Sequence, residues 1–245
     1  MKKLLMLLSA MFICTVALAD TINLHWLNYD GTNYQNSTCT VDADLILPST
    51  PPTRYGYTFT GWKVADYIPI EYLESTGTQY IDTGFMPTNN TSVEFEYAFS
   101  VAPSSDKVIF GSRTNNDWNN SDDQFYVACK NFSTGLYLYS GETKFTIQSI
   151  IVLNTFYKHT VDNSVATENG TRPMYLYAFN NKGDLSGLSQ IKIKYLKIYD
   201  NNMLIRDFIP VLDEDGTPCM YDRVEGKFYY NQGTGDFIAG PVVSE

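Results

Sequence analysis

Residues 191–240 read IKIKYLKIYDNNMLIRDFIPVLDEDGTPCMYDRVEGKFYYNQGTGDFIAG. Apolar and polar side chains alternate in short runs, broken at Asp200-Asn201-Asn202, Asp215-Gly216 and Glu225-Gly226 and closed by Gly233-Thr234-Gly235. A period of two between hairpin-type turns is the pattern of antiparallel sheet with one face buried. Within the first run the phase slips, because Ile191, Ile193 and Tyr195 are odd while Leu196 and Ile198 are even. A one-residue slip exchanges the buried and solvent faces, so a β-bulge is expected near Tyr195. No nucleophile–base pair and no metal-ligand cluster interrupts the stretch.

The same pattern extends toward the N-terminus. Val93, Phe95, Tyr97 and Phe99 alternate with Glu94, Glu96 and Ala98. Further strand-like runs are residues 107–111, 125–129, 136–139, 150–153, 174–179 and 191–199, and no stretch keeps a helical period over three turns. Many strands at short spacing with Gly, Asn and Asp turns predict an all-β sandwich or jelly roll.

The first nineteen residues read as an address. Lys2 and Lys3 precede the apolar run Leu4 to Val16, and Ala17-Leu18-Ala19 supplies a small-x-small cleavage pattern before Asp20. The run is too short for a membrane span, which needs about twenty apolar residues. Cys14 is a poor lipidation site behind bulky Phe12 and Ile13. The expected mature chain is secreted or held at the cell surface or envelope, with no transmembrane segment. Loss of Lys2 and Lys3 takes the formal net charge from −10 to −12, a balance that repels phosphate backbones and argues against nucleic-acid partners. Cys39, Cys129 and Cys219 remain, so at most one of three intramolecular pairings can form.

The mature chain divides near residue 66. In residues 20–66, Pro48, Pro51 and Pro52 cannot lie in a central strand and read as a connection. Leu47-Pro48, Pro52, Gly56-Tyr57-Thr58-Phe59 and Gly61-Trp62 resemble the internalin-type B repeat, a β-grasp-like module of bacterial surface proteins. So small a module buries a modest core, expected from Trp26, Leu45, Leu47, Tyr57, Phe59 and Trp62. In residues 67–245, the run Tyr72-Leu-Glu-Ser-Thr-Gly-Thr-Gln79-Tyr-Ile-Asp-Thr-Gly84 resembles the opening of a concanavalin A-like (laminin-G-like) jelly-roll domain of bacterial exported and phage-tail proteins. Arg206-Asp-Phe-Ile-Pro210, Met220-Tyr-Asp222 and Phe228-Tyr-Tyr-Asn-Gln-Gly-Thr-Gly235 are similar to its closing segments. The resemblance implies a jelly-roll fold and, by analogy, carbohydrate or surface-partner binding, since this fold also carries glycosidases and structural modules.

Three patterns in the chain bear on catalysis. Glucanases that share the jelly-roll fold place acids at alternate positions on one strand face, and Glu94 and Glu96 fall roughly 7 Å apart at that spacing. Ala98 stands where those enzymes carry a further acid. His159 has no motif that fixes a serine as its partner. Gly233-Thr234-Gly235 lacks the strand–loop–helix context of a phosphate loop and reads as a turn. The expectation is a non-enzyme, with a secreted glycoside hydrolase using Glu94 and Glu96 as the alternative.

The strongest candidate site in the sequence is the polar loop after residue 111. Trp118 sits among amides and carboxylates without apolar neighbours, and an aromatic plane edged by polar groups suits a sugar ring. The expected ligand-binding residues are Arg113, Asn115, Asp117, Trp118, Asn119 and Asp123, contacting a neutral ligand. No cofactor is expected. Asp117, Asp122 and Asp123 offer oxygens of the kind Ca²⁺ prefers, at a spacing unlike an EF-hand. The expected function is an exported surface-associated binding or adhesion protein whose partner is a carbohydrate or a cell-surface protein. A non-catalytic structural surface component is the third reading.

Overall fold

The computed structural model describes residues 21–27, 33–40, 46–53, 55, 58, 59, 61, 67–114, 123–133 and 135–243. They form strands and turns, with no helix among them. The chain divides into two compact units, Met1–Trp62 and Lys63–Glu245. In the first, β1 (Thr21–Leu27) and β2 (Asn33–Thr40) pair antiparallel. Trp26 is buried, and its indole N–H donates to Ser37 Oγ at 2.8 Å. Leu45, Tyr57 and Trp62 lie outside the described residues. Leu47 and Phe59 are exposed rather than in the expected core; both lie outside any strand, so no sheet pairing turns them to one side.

The second unit begins with β3 (Ile68–Pro69), β4 (Leu73–Glu74), β5 (Ile81–Asp82), β6 (Thr91–Phe99), β7 (Lys107–Arg113) and β8 (Phe125–Cys129). It continues with β9 (Leu136–Ser140), β10 (Thr143–Gln148), β11 (Tyr157–Asp162), β12 (Tyr175–Leu176), β13 (Phe179–Asn181) and β14 (Asp184–Ser186). The closing strands are β15 (Ile191–Asp200), β16 (Met203–Leu212), β17 (Pro218–Asp222), β18 (Lys227–Tyr229) and β19 (Ile238–Ala239). One sheet runs β11-β6-β15-β16-β17-β18, with β3 beside β16 and β4 between β15 and β19. The other runs β10-β9-β8-β7-β12-β5, with the β13–β14 hairpin attached to β7. Pairing is antiparallel throughout except for the two-residue contact of β13 with β7.

The two sheets close on one apolar core, as a β-sandwich. Val93, Phe95, Tyr97 and Phe99 of β6 all point inward and are at most 1% exposed. Phe95 meets Phe110 of the opposite sheet edge-on, with ring centroids 5.1 Å apart. Burial of each such side chain contributes about 1.5–3 kcal/mol. The bulge expected near Tyr195 is present: Ile193 pairs with Tyr97 and Tyr195 with Glu96, leaving Lys194 as the extra residue. Leu196 and Ile198 are thereby returned to the core.

Residues 150–153 are not the strand their composition predicts. Ile151 is buried, but Ile150, Val152 and Leu153 are exposed in a connection between β10 and β11. A run of contiguous apolar residues has no period, and the chain uses one of them as an anchor. The run 174–179 is split between β12 and β13 by Tyr177, which has a φ of 64°. Its ring is fully buried, its hydroxyl donates to the Leu73 carbonyl at 2.9 Å, and its N–H donates to the Ile109 carbonyl. These contacts hold a conformation that bulky residues rarely adopt.

The segments that frame this unit in sequence also meet in space. The Gln79 side chain accepts from the Thr76 N–H at 2.8 Å and from the Ser75 hydroxyl at 3.1 Å, and its own amide donates to the Thr234 carbonyl. Thr78 Oγ1 donates to that carbonyl at 2.8 Å. Gly233 packs so closely that a Cβ on it would lie 2.0 Å from the Thr78 carbonyl oxygen. At the other framing motif, Arg223 grips the fully buried Asp207 carboxylate through Nε at 3.0 Å and Nη2 at 2.7 Å. Asp222, also fully buried, accepts the Asp207 and Val224 N–H groups through Oδ1. Burial raises the pKa of both carboxyls, with Arg223 opposing it at Asp207. These polar groups fasten one end of this unit to the other and tie β16 to β17.

Candidate functional site

The polar face of β6 is a ladder of ion pairs. Glu94 contacts the Lys158 ammonium at 2.7 Å and accepts from the Tyr195 hydroxyl at 3.0 Å. Glu96 faces Lys194 at 3.4 Å, and Glu74 faces Lys192 at 4.0 Å. The Lys158 hydrogen bond holds the Glu94 carboxyl below its ordinary pKa. A general acid needs the opposite shift. His159 packs its ring on Phe95 and Tyr97, its Nε2 is buried without a hydrogen-bond partner, and burial lowers its pKa. That environment fits a core-edge histidine. Cys39, Cys129 and Cys219 are free thiols, and burial pushes Cys129 and Cys219 up to about 12. Neither of these two thiols has thiolate character at neutral pH.

Of the loop residues expected to bind ligand, Asn115, Asp117, Trp118 and Asn119 lie outside the described residues, as does Asp122. Arg113 and Asp123 stand at the foot of that loop and are 3% and 5% exposed. Arg113 Nε donates to Asn181 Oδ1 at 2.6 Å, and its guanidinium lies 5.7 Å from the Phe179 ring centre. Burial lowers the Arg113 pKa, with Asp123 among the groups that oppose the shift. Asp123 Oδ2 accepts the Thr114 N–H at 2.9 Å. Both residues therefore brace the exit of β7. Among the described residues, no three His, Cys, Asp or Glu side chains gather as a metal-ion group. No described helix is long and apolar enough to cross a membrane.

The structure brings together a different set, on the outer face of the second sheet. Across β7, β8, β9 and β10 the register sets Gly111, Tyr126, Tyr139 and Lys144 in one row and Val108, Ala128, Tyr137 and Thr146 in the next. Tyr126 and Tyr139 stack at 4.4 Å with only 7° between their planes. The Phe179 ring lies 4.4 Å from that of Tyr126, tilted by 42°. Val108, Tyr126, Ala128 and Phe179 form a small apolar cluster separate from the main core, with Tyr139 packed against it.

Beside this cluster is a cleft of about 250 Å³ lined by Asp106, Ala128, Lys130, Tyr137, Tyr139 and Lys144. Tyr137 and Tyr139 are half-buried, while Asp106, Lys130 and Lys144 are exposed at its rim. The Lys144 ammonium sits 3.6 Å from the Tyr137 ring centre and 5.5 Å from that of Tyr139. Two aromatic walls with ammonium, carboxylate and phenol groups around them can hold a ligand with an apolar face and a polar rim. A signal for it existed in the sequence: in Leu136-Tyr137-Leu138-Tyr139 the leucines face the core, so two tyrosines stand in turn on the solvent side.

A second aromatic strip joins Tyr67, Tyr221, Phe228 and Tyr230 on the first sheet, with Tyr67 and Tyr221 rings 4.6 Å apart. Tyr230 donates to Asp213 at 3.0 Å, and the strip packs on itself along the sheet edge. No protein-family model matches the chain, and no curated protein matches it.

Proposed function

We propose that the protein is an exported bacterial surface-associated binding or adhesion protein whose sandwich recognises a carbohydrate. In this reading the sandwich is a concanavalin A-like jelly roll, the N-terminal unit an internalin-type repeat, and the mature chain starts at Asp20. The observation that carries it is the cleft walled by Tyr137 and Tyr139, whose half-exposed rings stand beside Asp106, Lys130 and Lys144, side chains that form no ion pair among the described residues. Catalysis by Glu94 and Glu96 has less support, because the Lys158 hydrogen bond favours the ionised form of Glu94, where a glycosidase needs one acid of its pair protonated, and Lys194 faces Glu96 as an ion-pair partner.

The test is a glycan array probed with the mature chain, followed by calorimetry and a hydrolysis assay on each glycan retained. Binding without turnover, weakened by the Tyr137→Ala/Tyr139→Ala double variant, is the expected result. Truncating an aromatic wall removes about 1–3 kcal/mol of contact. Trp118→Ala measured in parallel separates the cleft from the loop. Turnover lost in Glu94→Gln would establish the glycosidase, and a blank array would leave a protein partner or a scaffold role. Mass spectrometry of the exported protein checks the Asp20 start.

A further inference from the structure

Resting on that reading, we infer that the cleft takes a saccharide bearing a carboxylate, with Lys144 and Lys130 as its charge-recognising groups. On the outer face of the first sheet, Lys158, Lys192 and Lys194 each stand against a glutamate. At the cleft, Lys144 and Lys130 have no carboxylate within ion-pair distance among the described residues, and Asp106 is the single acid in the lining. Two ammoniums against one carboxylate leave the lining with a formal charge of +1, in a chain whose formal net charge is −10. The cleft is thus a local positive site on an acidic molecule, and complementary charge favours an anion there.

The placement of Lys144 adds a geometric reason. Its ammonium lies against the Tyr137 ring, where the negative face of the aromatic quadrupole holds a cation. The N–H groups not turned to that ring are then available to the edge substituents of a ring stacked on Tyr139. A carboxylate on that edge would accept a charge-assisted hydrogen bond from Lys144, while the C–H face of the sugar covers Tyr139. The volume is below that of a drug-sized pocket, so the cleft receives a single ring-sized unit of a longer chain. β10, which carries Lys144, is the edge strand of its sheet, so one side of the cleft is open for the remainder of that chain. This separates the cleft from the polar loop after residue 114, for which a neutral ligand was the expectation.

The experiment uses the mature protein and an array holding uronate- and sialate-bearing oligosaccharides beside their carboxyl-reduced forms. The best acidic binder and its reduced form are then compared by calorimetry at low and high salt. The reduced form is expected to bind about tenfold more weakly or worse, the loss set by a charge-assisted hydrogen bond. Raised salt should weaken the acidic form and leave the reduced form nearly unchanged. Lys144→Gln should remove most of the preference, Lys144→Arg should keep most of it, and Tyr139→Ala, which leaves the Lys144–Tyr137 contact in place, should weaken both ligands alike. Lys144 is exposed, so the melting temperature and near-ultraviolet dichroism of these lysine variants should match the wild type.

Equal affinity for the acidic and reduced forms, still dependent on Tyr139, would overturn the acidic-ligand inference and leave the carbohydrate reading standing. An array with no bound glycan would remove both. Binding of an acidic peptide through Lys144, with no acidic glycan retained, would replace the saccharide by a protein partner.

Discussion

His159 is where a single side chain couples the fold to pH. Its imidazole is packed on Phe95 and Tyr97, with Nε2 buried and unpartnered. Burial disfavours the imidazolium, so the folded-state pKa lies below the unfolded value of about 6.5. The unfolded chain therefore binds the proton first as pH falls, and stability is lost from about pH 6.5 downward until the folded pKa is passed. His159→Phe keeps a ring of similar shape and removes the titration. Urea unfolding across that range should give a slope with pH for the wild type and a flatter one for the variant. Parallel slopes would show that the histidine is hydrated in the folded state. The Glu94–Lys158 pair acts in a lower window: Glu94 is held down, so its stabilising contribution is present above its unfolded pKa and fades as pH falls through the folded one.

At the level of the strands, the pairing of β7 with β8 depends on one glycine. Gly111 has a φ of 145°, and a Cβ there would lie 2.1 Å from Tyr126 Cβ and 2.5 Å from the Phe125 carbonyl oxygen. Neither obstacle is the end of a flexible side chain, so the β7–β8 pairing itself would have to shift. Gly111→Ala is expected to destabilise the sandwich by on the order of 3 kcal/mol or more, from backbone strain and overpacking together. The Tyr126–Tyr139 stack should loosen with it, read as a lower denaturation midpoint and altered tyrosine dichroism. An unchanged midpoint would mean that Gly111 is not needed for the close approach. The strands that were legible in sequence are those with one buried face, such as β6 and β15, where alternation maps directly onto burial. β10 was not, because nearly all of Thr143–Gln148 is solvent-facing at a sheet edge and few of its residues had to be apolar.

For the whole molecule, the two framing segments make the Lys63–Glu245 unit a closed structure. Gln79 and Thr78 are bonded to Thr234, and Gly240 donates to the Tyr72 carbonyl. Residues 67–245 are therefore expected to fold without the N-terminal unit, with a β-type circular dichroism spectrum, one cooperative melt and resistance to proteolysis. A further fragment ending at Tyr230 loses β19 and the Thr234 clasp and should melt at a lower temperature or fail to fold. A 67–245 fragment that stayed unfolded would place an essential part of the core before residue 67. The sequence by itself determined that this unit is all-β, where its bulge lies and which strand faces are buried, because a period of two is a local property that neighbours along the chain reveal. The tertiary structure alone decided that the conspicuous motifs are fastenings, and that a cleft forms where Asp106, Lys130, Tyr137 and Lys144 converge. Those four come from separate strands and turns, and only the register of β7 through β10 sets them side by side. Register is a long-range choice made by the packing of the whole sandwich, so no local pattern announces it.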